Sequence, residues 1–107
     1  MFDRRHTGHV TLRQLEIFEA VARAESVSRA AETLHLTQPA VSLQVRALEK
    51  RLGTQLLDRS GRRVEPTEAG WRLYRGAQRM LALEEQVLAG VTASAEGALT
   101  EIGRAHV

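Results

Sequence analysis

Apolar residues recur at three- and four-residue steps along most of the chain, and the breaks in that rhythm mark out its elements. Leu12, Leu15, Phe18, Val21 and Ala22 form one helical stripe, with Thr11 placed to cap a helix that runs to about Arg23. The stripe stops at "ESVS". Ser28 can then cap a short second helix, roughly 29–34, that buries Ala30, Ala31 and Leu34. A third helix is predicted from Gln38 to Leu52, with Val41, Val45, Leu48 and Leu52 inward and Gly53 placed to end it in a left-handed conformation. In "QLLDRSGRRVEPT" the pattern changes. Leu56 and Leu57 suit a strand, Ser60-Gly61 a turn and Val64 a return strand, a short hairpin that Pro66 ends. Thr67 caps a long helix predicted to reach about Ala93, with Glu68 at its positive end. Residues 1–10 lack periodicity and read as a flexible arm, and residues 94–107 as a tail.

Composition supports helices. Hydrophobic content is 43% but aromatics are 4%, so the core must rest on Leu, Val, Ala and Ile. The fold class is mainly α: a winged helix-turn-helix at 11–66, made of three helices and a hairpin wing, followed by a linker helix at 67–93. Without cysteine there is no disulfide framework and no thiolate metal site. No apolar run approaches membrane-spanning length and no secretory signal is present, which points to a cytoplasmic protein without a membrane partner.

The net charge of +2 is unevenly placed. Within 38–63 stand Arg46, Lys50, Arg51, Arg59, Arg62 and Arg63 against Glu49 and Asp58, a local surplus of +4. Such a cluster suits a nucleic-acid face, and equally a solvated surface. Helical geometry distinguishes its parts. With Val41, Val45, Leu48 and Leu52 inward, Pro39, Leu43, Arg46 and Lys50 lie opposite, flanked by Ser42 and Ala47. Pro39 in the first turn loses no helical hydrogen bond. Gln38, Ser42 and Gln44 can bond base edges or phosphates, and Arg46 can fork onto guanine or bond a phosphate, the commoner kind of contact. Leu43 is the anomaly: it reads either as an incidental exposed leucine or as an apolar contact to a thymine methyl.

On the long helix, Leu73, Tyr74, Ala77, Met80, Leu81, Val87, Leu88 and Val91 are apolar. Tyr74, Leu81 and Leu88 are seven apart, as in a helix-pairing seam. No nucleophile–base arrangement appears, so an enzyme is not expected. His6 and His9 read as solvated side chains of the arm rather than metal ligands, and adjacent Glu84 and Glu85 as solvated surface. A pure dimerisation module would explain the long helix, but not the arginine-tipped wing or the small, polar start of helix 38–52.

The stretch "LRQLEIFEAVARAESVSRAAETLHLTQPAVSLQVRALEKRLGTQLLDRSGRRVEPTEAG" closely resembles the DNA-binding domain of the LysR-type transcriptional regulators, and the resemblance extends over about 12–93. It implies a transcription factor that binds an inverted-repeat operator in double-stranded DNA as a homodimer, paired antiparallel through the linker helix. It implies a tetramer for the full-length protein and admits RNA polymerase as a further partner. Thr37, Gln38, Pro39, Ala40, Ser42 and Gln44 match the recognition-helix contact region, and Arg59 with Arg62 or Arg63 matches the wing. Members of the family often carry arginine where this chain has Leu43. They continue into an effector-binding domain that senses a small molecule. These 107 residues are expected to hold no cofactor, and "GALTEIG" at 97–103 is only loosely similar to that domain's first strand. The final "EIGRAHV" can be encoded by GAG ATC GGA AGA GCA CAC GTC, which reproduces the start of a widely used sequencing adapter. The native sequence is accordingly expected to depart near Glu101.

Overall fold

The computed structural model describes residues 10–105, with side chains through Ala98. The arm up to His9, with both of its histidines, and the last two residues lie outside the described residues. Helix α1 spans Leu12–Ala24, α2 Val27–Leu34, α3 Gln38–Leu52 and α4 Glu68–Ala105, with strands β1 (Leu57–Asp58) and β2 (Glu65–Pro66) between α3 and α4.

Helix α1 is the centre of the core. Thr11 and Gln14 form a reciprocal capping box, each side chain accepting from the other's backbone N–H. Its buried residues are Leu15, Ile17, Phe18, Ala20, Val21 and Ala22. That is a wider face than the predicted stripe, because α2, α3 and α4 all pack on it. Leu12, at the stripe's start, is instead exposed.

Helix α2 begins two residues before the predicted start. Ser26, not Ser28, is the cap: its backbone is extended and its hydroxyl accepts from the Arg29 N–H at 3.2 Å. The earlier start brings Val27 into the helix, where it packs against the core. At the other end His35 takes a left-handed conformation (φ 57°), and Leu36 donates its N–H to the Ala31 carbonyl at 2.9 Å. This closes the helix as a Schellman-type turn. Three residues later Thr37 caps α3, accepting from the Ala40 N–H, and Gly53 (φ 67°) ends it, as the sequence pattern predicts. Val41, Val45 and Leu48 are buried, with Leu52 packed at the edge.

The hairpin is antiparallel, with Leu57 opposite Pro66 and Asp58 opposite Glu65. Each strand lies one residue further along than expected, because the flanking backbone is used elsewhere. Leu56 donates its N–H to Glu49 and its carbonyl accepts from Thr67, while Val64 donates its N–H to the Glu25 carbonyl.

Thr67 fixes the start of α4. Its N–H donates to the Leu56 carbonyl at 3.0 Å, its hydroxyl donates to the Gln55 carbonyl at 2.7 Å, and the same oxygen accepts from the Gly70 N–H at 3.0 Å. Gly70 is required by this close approach: a Cβ there would stand 2.0 Å from the Leu56 carbonyl oxygen. The helix then continues to Ala105 rather than ending near Ala93. The sequence 94–105 has no proline to stop it. The loose similarity to a strand at 97–103 is therefore not matched, since that backbone is helical.

Candidate nucleic-acid interface

With Val41, Val45 and Leu48 locked inward, α3 presents a solvent face on which Gln38, Pro39, Leu43, Arg46 and Lys50 are exposed. Ala40, Ser42 and Gln44 flank it, half-buried. Thr37 is exposed, but its hydroxyl is occupied in capping α3. The Gln44 side-chain carbonyl accepts from the Gln14 amide at 3.3 Å, so this residue is tied to α1 and keeps its NH2 for another partner. Leu43 is the outlier at 67% exposure.

The wing's arginines separate into different roles. Arg59 turns back to Glu49 (3.4 Å) and its side chain is 32% exposed, so it braces the hairpin base instead of standing at the tip. Arg62 is exposed. Arg63 stays 76% exposed beside Glu25 at 3.8 Å, a surface pair weak enough to yield to a stronger anion.

Glu49 enters the charge count only as an offset to the basic cluster, and its structural role is not visible there. It sits in the last turns of α3 and is largely covered. One carboxylate oxygen accepts from the Leu56 and Leu57 N–H groups at 2.7 and 3.2 Å, and the other faces Arg59. These charge-assisted bonds tie the wing to α3. At the far side of the wing, Asp58 accepts from the Ser60 hydroxyl (2.6 Å) and N–H (2.9 Å), forming a turn. Both bonds, the hydroxyl's first, hold the Asp58 carboxyl below its ordinary value.

The wing, the α1–α2 corner and the start of α3 meet around an open cleft of about 600 Å³. Gln38, Arg62 and Arg63 reach it together with Ser26, Ser28 and Arg29. The last three belong to this surface through the fold. In the sequence the two serines signal only helix starts.

The predicted pairing positions on α4 do not share one face. Ala77 is fully buried in the domain's own core, Leu73 and Tyr74 pack against it, and Leu81 is half-buried. The Tyr74–Leu81–Leu88 line therefore starts against its own domain, with Tyr74 packed on the core and Leu81 half-buried beside α1. Among the described residues of α4 the exposed large apolar side chains are Trp71, Met80, Leu83, Val87, Leu88 and Val91. Met80, Leu83, Val87 and Val91 fall within an arc of about 80°, turned roughly 110° from the predicted line. Met80, Val87 and Val91 belong to the predicted set, and the fold adds Leu83 to them.

A tri-helical core, a helix with one face free, and a basic hairpin beside it define the winged helix-turn-helix class. Residues 12–71 match the family model described as "Bacterial regulatory helix-turn-helix protein, lysR family". The chain belongs to that family. It is 49% identical over 94 residues to the RuBisCO operon transcriptional regulator of Allochromatium vinosum, covering 85% of this chain and 31% of that protein. Among solved structures it is similar to the BenM DNA-binding domain complexed with catB site 1 DNA, with a TM-score of 0.76 and 36% identity over 78% of this chain and 92% of the other. It is also similar to the CbnR DNA-binding domain in its DNA complex, with a TM-score of 0.74 and 41% identity over 80% of this chain and 99% of the other. The chain thus spans about a third of the curated relative's length.

Proposed function

We propose that this chain is the DNA-binding part of a bacterial transcription regulator that works in the cytoplasm. The observation that carries the reading is the cleft where Gln38, from the start of α3, meets Arg62 and Arg63 of the wing. A helix entering the major groove from this side brings Gln38 and Ser42 to base edges, and sets Arg46 and the wing arginines against phosphates. Thr37, Pro39 and Ala40 shape the helix start that approaches the duplex, and the free NH2 of Gln44 adds a donor. Arg59 contributes by bracing the wing.

Two copies pair through α4, placing two α3 helices on an inverted repeat. The support is the exposed Met80–Leu83–Val87–Val91 stripe on a 38-residue helix about 57 Å long, which overhangs its own domain. The rest of a full-length regulator would carry a domain for a small-molecule effector, assemble further to a tetramer and act on RNA polymerase at its promoter.

The test is selection from random duplex DNA followed by titration at several salt concentrations. Enrichment of a two-fold symmetric site is expected, with affinity falling steeply as salt rises. Arg62→Ala should weaken all duplexes alike and lower the salt slope by about one. No enriched sequence, or a binding constant indifferent to salt, would refute the reading.

A further inference from the structure

We propose that Leu43 reads the 5-methyl group of a pyrimidine in the major groove, so that each half-site favours thymine at the base pair beneath it. The inference rests on the DNA-binding reading above and adds a specificity-determining residue to it. Leu43 is 67% exposed and takes no part in the core cluster. Among the described residues it is the one large apolar side chain on the outer face of α3. Its companions on that face, Gln38, Arg46 and Lys50, carry donors suited to phosphates and base edges. The residues just beside it, Pro39, Ala40, Ser42 and Ala47, are short. Of its neighbours one turn away only Arg46 is taller, and the long flexible side chain of Arg46 can carry its charge aside to a phosphate, leaving Leu43 open to a surface that approaches the helix closely.

The chemistry of the groove supplies the match. Each base edge there presents hydrogen-bonding groups, and the thymine methyl is the apolar exception. An isobutyl group makes no hydrogen bond. Pressed against a cytosine amino group or a guanine carbonyl, it would remove water and give nothing back. Pressed against a methyl group it loses nothing and buries apolar surface. The residue thus both favours the methyl and penalises its polar alternatives.

The experiment uses the 107-residue chain and a duplex that it has selected from random sequence. Each thymine is replaced in turn by uracil, which removes the methyl and leaves base pairing intact. The expected result is a loss of about fourfold at one thymine per half-site and about fifteenfold when both are replaced, the effect of one buried methyl in each. With cytosine at that position, 5-methylation should strengthen binding. Leu43→Ala should bind with a flat uracil scan, and Leu43→Met should keep the sensitivity. Specific binding with a flat scan in the unaltered chain would overturn the Leu43 assignment while leaving DNA binding intact. So would a Leu43→Ala variant that keeps the same loss. Failure to enrich any sequence would overturn both.

Discussion

Replacing Gly70 with alanine should destabilise the domain, although helix propensity alone predicts the opposite. At an open helical site Gly→Ala gains up to about 1 kcal/mol. At Gly70 the new Cβ would lie 2.0 Å from the Leu56 carbonyl oxygen, 3.0 Å from its carbon and 3.1 Å from the Pro66 Cβ. Carbon–oxygen contacts settle near about 3.3 Å, so α4 must retreat by more than about 1 Å. Leu56 cannot give way, being 1% exposed with its N–H held by Glu49. The retreat pulls Thr67 from its bonds to the Leu56 and Gln55 carbonyls. Overpacking of about 1–3 kcal/mol and two lost hydrogen bonds of about 1 kcal/mol each outweigh the propensity gain. The net loss is about 2–4 kcal/mol. Urea unfolding followed by circular dichroism and by Trp71, the sole tryptophan, reads this directly. With a slope of about 1.5 kcal/mol per molar, the midpoint should fall by about 2 M. Gly90→Ala is the control, since a Cβ there has nothing within 4 Å, and its midpoint should rise slightly. A Gly70→Ala midpoint equal to or above that of the unaltered chain would refute the close-approach argument.

Glu49→Ala leaves the Leu56 and Leu57 N–H groups without their acceptor and should cost about 2–3 kcal/mol by urea midpoint. Glu49→Gln keeps an acceptor oxygen and should cost less, so equal losses would argue against these bonds. The carboxyl of Asp58, held low by Ser60, stabilises the wing turn fully above its unfolded value of 3.8 and loses that contribution as pH falls through the lower folded value. In Ser60→Ala, an NMR titration of the Asp58 carboxyl should show a midpoint moved up toward 3.8, and an unmoved midpoint would remove Ser60 as the cause. Leu83→Glu should yield monomers by light scattering, whereas Leu81→Ala should keep the dimer mass and lower stability. The reverse pattern would restore the seam spaced by sevens.

The sequence reveals most about elements whose ends carry their own chemistry. Thr11, Thr37 and Gly53 each act locally, so their roles are visible without knowing what lies across the fold. Ser26 and Ser28 show the limit of that logic. Both can cap, and the choice depends on whether Val27 reaches the core, which is a tertiary fact. The length of α4 was similarly hidden, because nothing local ends it at 93 and nothing local requires it to continue.

Charge shows the same division more sharply. Arg59, Arg62 and Arg63 are indistinguishable as letters within five residues of one another. Their difference lies in what the fold brings beside each: for Arg59 a largely covered glutamate that also holds two backbone amides, for Arg62 the cleft shared with α3, and for Arg63 that cleft and a half-exposed glutamate. An arginine whose partner is itself fixed by other bonds becomes part of the scaffold. One facing open water or a loosely held partner remains available to phosphate. A count of basic residues can therefore locate a nucleic-acid face, but it overstates the number of charges that face can offer. On this wing the salt slope should reflect Arg62 and Arg63 more than Arg59, and removing Arg59 should change wing geometry before it changes charge.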